Sequence, residues 1–88
     1  MKAVRFHEFG DVDVLRLEDV DVPEPGPGEA LVRVRACAVN HVDIDMRNGT
    51  SRLPLELPHT LGFEVAGEVA AVGPDVSEVD VGDRVAPL

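Results

Sequence analysis

Apolar and polar residues alternate in short runs along most of this chain. In Lys2-Ala3-Val4-Arg5-Phe6, Ala3 and Arg5 alternate with Val4 and Phe6, the pattern of a half-buried first strand. Gly10-Asp11 is a turn signal, and residues 14–20 read as a second strand. Pro23-Glu24-Pro25-Gly26-Pro27-Gly28 ends it, because proline has no N–H to give a central ladder; this run must be an exposed turn or extended edge. Residues 29–39 carry the strongest strand pattern. Ala30, Val32, Val34, Ala36 and Ala38 share one face, and Leu31, Arg33, Arg35 and Cys37 the other. The first face is small and apolar, suited to a tight barrel interior. The second places two arginines at the surface.

At Asn40 the period changes. A short helix is expected to begin at Asn40 or His41 and to end near Asn48-Gly49, since asparagine is a good N-cap and glycine a good C-terminal stop. Pro54 and Pro58 make a loop of residues 52–59. Residues 63–72 read as a strand with a bend permitted by Gly67. Turns follow at Gly73-Pro74-Asp75 and at residues 79–83, and Arg84-Val85-Ala86 begins a last strand. Short strands separated by turn chemistry predict an all-β barrel or sandwich with one short helix. There is no internal repeat and no low-complexity segment.

The chain has 88 residues, enough for one small domain with a thin core. Its formal charge of −9 argues against a nucleic-acid or anionic-membrane partner. Few aromatic residues are available for stacking on bases. Cys37 is the only cysteine, which excludes an internal disulfide and a CxxC zinc framework. Cys37 itself is expected to be a buried or half-buried small hydrophobe. Met1 leads directly into a strand-like segment, and no run approaches the length of a membrane span. A soluble, cytoplasmic setting is the expectation.

Three segments in order carry a likeness: Val39-Asn40-His41-Val42-Asp43, then Leu61-Gly62-Phe63-Glu64-Val65-Ala66-Gly67-Glu68-Val69-Ala70-Ala71-Val72-Gly73, then Val81-Gly82-Asp83-Arg84-Val85. Together they resemble the N-terminal catalytic domain of the medium-chain dehydrogenase/reductase family, above all its quinone oxidoreductase-like members. The resemblance covers almost all of residues 1–88. It implies a GroES-like, partly open β-barrel, incomplete at its C-terminal end. It also implies a Rossmann cofactor domain elsewhere in the parent protein, because residues 1–88 contain no Gly-x-Gly-x-x-Gly fingerprint. The chain is therefore expected to be a fragment, or one piece of a split protein, and to give no turnover alone.

The implied chemistry is hydride transfer from NADPH to a quinone or an α,β-unsaturated carbonyl, with a homodimer compatible. The preference for NADPH comes from the resemblance alone. In zinc-dependent relatives a cysteine stands at the position of Asn40 and a histidine at that of Phe63. Neither residue here supplies a thiolate or an imidazole, so no catalytic zinc is expected. A different metal site would have to use His41, Asp43, His59 and Glu64, and their spacing does not require one. Asn40 has two readings that can hold together. Its side chain can cap the helix, and by the resemblance its amide faces nicotinamide and substrate and donates to the substrate oxygen. His41 is either a partly exposed first-turn residue or, as in relatives, a cofactor neighbour. Phe63 is a pocket wall or a core residue. Asp43 complements the helix dipole and supports the site. Glu64 is expected to support it through an ion pair, with Arg47 or Arg84 as partners.

A rival reading from another class is a stand-alone GroES-like binding or assembly module without catalysis. It would rest on a mobile loop with an apolar tip, for which Leu53, Leu55 and Leu57 are available.

Overall fold

The computed structural model describes residues 1–52 and 54–87, so Leu53 of the loop invoked by the rival reading lies outside the described residues. Strands dominate, with one α-helix, as expected. In chain order they are β1 (Lys2–Phe6), β2 (Arg16–Asp19), β3 (Ala30–Ala38), α1 (His41–Asn48), β4 (His59–Thr60), β5 (Glu64–Val72) and β6 (Arg84–Val85). They form two antiparallel three-stranded sheets, in the orders β2-β1-β4 and β3-β5-β6. The chain divides into two compact units, Met1–Asp21 with Val39–Phe63, and Val22–Ala38 with Glu64–Leu88. Among the described residues no helix is long and apolar enough to cross a membrane.

In the first unit β1 is central. It pairs with β2 from Lys2 opposite Asp19 to Arg5 opposite Arg16, and with β4 through Arg5–Thr60 and Phe6–His59. The far end is closed by reciprocal bonds: the Met1 amino group donates to Val20 O at 2.9 Å and Val20 N–H to Met1 O at 2.8 Å. Two expectations are corrected here. The second strand is shorter than residues 14–20, because Asp11 accepts the Val12 N–H at 2.8 Å and curls Val12–Val14 into a 3-10 turn. The loop of residues 52–59 ends in a strand, because the second edge of β1 offers backbone groups that His59 and Thr60 satisfy.

The helix runs from His41 to Asn48 with Asn40 as N-cap, and Gly49 closes it, as the sequence predicts. Its C-terminal end is tied to the segment after β1. Gly10 N–H donates to Arg47 O at 3.0 Å, and Arg47 Nε donates to Gly10 O at 3.2 Å. The buried apolar residues of this unit are Ala3, Phe6 and Met46, with Phe6 completely enclosed.

A half-buried cluster joins β1 to β2. His7 Nε2 lies 2.8 Å from Glu18 Oε1, and Arg5 Nε lies 3.9 Å from the same oxygen. The hydrogen bond with His7 lowers the Glu18 pKa below its ordinary value. Desolvation is the next largest effect and opposes it, and the charges of His7, Arg5 and Arg16 each add a smaller lowering. A carboxylate with a depressed folded-state pKa stabilises the fold above its unfolded value, and that contribution is lost as pH falls through the folded value. Glu18→Gln is therefore expected to unfold at lower temperature than the parent at neutral pH, with the two converging in acid. Thermal unfolding of both proteins across that range checks this; a gap that persists in acid would assign the effect to packing.

In the second unit β3 and β5 form the long pair, from Ala30 opposite Val72 to Ala38 opposite Glu64. The register shifts twice. Ala70 is the extra residue on β5, and Arg35 the extra residue on β3. The two shifts are opposite in sign and cancel, so Ala36–Ala38 pair on the register with which Ala30 and Leu31 begin. Bulges break strict alternation, and the two faces predicted for residues 29–39 are corrected accordingly. Leu31 and Val32 are neighbours in sequence yet both are half-buried, while Val34, Ala36 and Ala38 are exposed. Arg33 and Arg35 are exposed as expected, with Arg35 Nε 3.2 Å from Glu68 Oε1. Gly67 marks a close approach to β3; the register shift stands beside it, on the partner strand. The Pro-rich run turns against residues 73–74, with Gly73 N–H donating to Glu29 O at 2.8 Å and Gly28 N–H to Pro74 O at 3.1 Å. Val69 is the most deeply buried apolar residue of this unit.

Candidate functional site

The head of α1 is built by its own sequence. Asn40 keeps an extended backbone (φ −116°, ψ 163°) while its carbonyl already accepts the Asp43 N–H at 3.0 Å. Asp43 stands at the third helical position, where a carboxylate can reach back to the capping residue. Its Oδ2 accepts the Asn40 backbone N–H at 2.9 Å. Its Oδ1 accepts the backbone N–H of Gly62 at 3.2 Å. At 5% exposure Asp43 is the one charged residue buried among those described.

The Gly62 bond places Phe63. Gly62 holds φ +122°, a conformation that residues with a Cβ rarely adopt, although nothing lies within 4 Å of where a Cβ would be. The glycine is needed there for its backbone, and it turns the chain into Phe63. That side chain is 45% exposed, so the reading of Phe63 as a core residue does not hold. The strand that follows begins at Glu64, one residue later than expected.

His41 occupies the first helical position with its side chain 84% exposed, and its Nε2 lies 3.5 Å from Asp45 Oδ1 one turn on. Asn40, His41, Asp43 and Phe63 thus belong to one compact unit. Glu64 belongs to the second, where it faces Ala38 across the first rung of β5. Arg47, a suggested partner for Glu64, is held within its own unit by the Gly10 carbonyl and by Asp11, 4.0 Å away.

Two residues differ from their sequence reading. Cys37 is exposed rather than buried. It lines an open apolar groove of about 270 Å³ with Ala36, Ala38, Val65, Ala66 and the edge residue Glu64. His59 is a strand residue rather than a loop residue. Its Nε2 is buried with no hydrogen-bond partner, and its ring meets Phe6 edge-on at 5.7 Å. The only sequence signal for this was the adjacent proline-broken run, which says nothing about an aromatic partner. Among the described residues no three His, Cys, Asp or Glu side chains converge as a metal-binding group.

This arrangement sets an amide-bearing residue and an exposed histidine at the positive end of a helix, with the exposed ring of Phe63 in the same unit. The family model of the alcohol dehydrogenase GroES-like domain matches residues 26–88. The chain belongs to this family. The GroES-like domain is 49% identical over 87 residues to a quinone oxidoreductase of Homo sapiens, a match covering 97% of this chain and 26% of that protein. It is 46% identical over 85 residues to a quinone oxidoreductase of Pseudomonas aeruginosa, again covering 97% and 26%. Among solved structures, it superposes on the Escherichia coli quinone oxidoreductase complexed with NADPH with a TM-score of 0.91 at 34% identity, covering 98% of this chain and 26% of that one. These relatives are medium-chain dehydrogenase/reductase proteins, and the expected fold class and family hold. The chain spans about a quarter of the length of the curated relatives it matches.

Proposed function

We propose that this GroES-like domain is the substrate-facing part of a zinc-independent, NAD(P)H-dependent oxidoreductase that reduces quinones or α,β-unsaturated carbonyls. The observation that carries the reading is Asn40 at the head of α1, in a chain whose relatives are quinone oxidoreductases. NADPH supplies a hydride when bound, its main binding surface being a Rossmann domain in the parent protein. The residues of this chain then have three tasks. Asn40 donates to the acceptor oxygen as negative charge develops there, which lowers the barrier because the donor is already oriented. Asparagine has both an acceptor for capping and N–H donors for such an oxygen, so its two roles are not exclusive. Phe63 shields one side of the acceptor from water. His41, exposed at the positive end of the helix, suits contact with an electron-rich part of the cofactor. Asp43 and Glu64 support this arrangement, and no residue is assigned to a metal.

The test uses the full-length protein that carries this chain. NADPH oxidation with a benzoquinone should be measurable in the parent, and Asn40→Ala should lower kcat by about 100-fold, the lower end for removal of one oxyanion donor. Its unfolding free energy should fall by only about 1 kcal/mol, the worth of one helix cap. An unchanged kcat with the cap penalty intact would leave Asn40 a structural residue and remove the catalytic assignment.

A further inference from the structure

Asp43 does more than a cap requires. A carboxylate at the third helical position can close a capping box while exposed to water. Here it is buried, and its second oxygen leaves the helix to hold Gly62. Burying a carboxylate is costly unless its lone pairs are met by well-placed donors. The two donors it meets are the backbone N–H of Asn40 itself and that of the residue before Phe63. One rigid, planar group therefore spans two segments that are 22 residues apart in sequence. Each segment bears one of the side chains assigned to the acceptor.

We propose that Asp43 is the positioning residue that fixes Asn40 relative to Phe63, by accepting one backbone N–H from each segment. The inference rests on the function proposed above for Asn40 and Phe63, but the clamp can be read without catalysis. Asparagine is the informative replacement. It keeps the shape but has one acceptor oxygen, so its NH2 group must face either Asn40 N–H or Gly62 N–H, and one arm of the clamp opens. Asp19, on β2 and bonded through Oδ2 to Lys2 Nζ at 2.9 Å, provides the control carboxylate.

In the full-length protein, Asp43→Asn should lower kcat for quinone reduction by at least about tenfold, as displacement of a positioned group does. The KM for NADPH should stay close to that of the parent. Asp19→Asn should change neither. In isotope-labelled protein the Asn40 side-chain amide and the Phe63 ring resonances should shift in Asp43→Asn and remain in place in Asp19→Asn. Should Asp43→Asn fail to fold, hydrogen exchange in the unmodified protein decides: the Gly62 amide, outside any strand, should be protected by on the order of tenfold or more over exposed loop amides. Unprotected Gly62, unmoved Asn40 and Phe63 resonances, or an undiminished kcat would each overturn the proposal. If the parent shows no quinone reduction, the functional reading fails, and the exchange and resonance measurements still judge the clamp.

Discussion

Gly67→Ala is expected to destabilise the chain by about 3 kcal/mol, the upper end for forced overpacking. A Cβ at this position would overlap the carbonyl oxygen of Arg33 and crowd its carbonyl carbon, with Val32 Cγ1 at 3.0 Å. Those carbonyl atoms are backbone, so no side-chain rotation can relieve the overlap. Gly67 pairs with Val34, and the extra residue Arg35 follows immediately on β3. Relief would require the two longest strands to separate where one is already bulged. In a chain of this size the loss corresponds to a fall in unfolding temperature on the order of 15 °C. Gly28→Ala is the control. Gly28 also has a positive φ, +75°, but nothing lies within 4 Å of a Cβ there. Its cost should be near 1 kcal/mol, that of the backbone conformation alone. Thermal unfolding of both variants separates the two costs, and equal losses would show that strand contact at Gly67 is no constraint.

That result would also bear on how such chains are read. Glycine inside an apolar run signals a bulge or a close approach. At Gly67 the structure has the close approach, with the extra residue on the partner strand. Nothing in residues 29–39 reveals that Arg35 has no rung of its own, because bulges depend on the strand across the ladder. By contrast, α1 was legible to within a residue at its start and near its end, since Asn40 and Gly49 act through local backbone geometry. Asp43 was legible as an acidic residue of the first helical turn. Its bond to Gly62 was not, because only the fold brings those segments together. His59 was misread for the same reason: the edge of β1 that recruits it lies more than fifty residues upstream.

Phe6→Ala should be the most damaging apolar truncation in the first unit, at about 3–5 kcal/mol. Among the described residues Phe6 is the largest side chain with no exposed surface, and only Ala3 and Met46 share its unit's buried apolar set. It meets Phe9 at 6.0 Å between ring centroids and His59 at 5.7 Å. Truncation removes the ring on which the His59 imidazole rests and leaves a cavity between a two-residue strand and the sheet centre. With so few apolar residues nearby, collapse around the cavity is limited, which places the cost toward the upper end. A domain of this size has roughly 4–13 kcal/mol in total, so this one change removes a large share of it. Because β4 is joined to β1 by only two register pairs, its amides should lose exchange protection before those of β2 do. Denaturant unfolding combined with hydrogen exchange measures both. A loss below about 1 kcal/mol, or simultaneous loss of protection in β2 and β4, would show that the first unit is held together by its ladder and caps rather than by the Phe6 cluster.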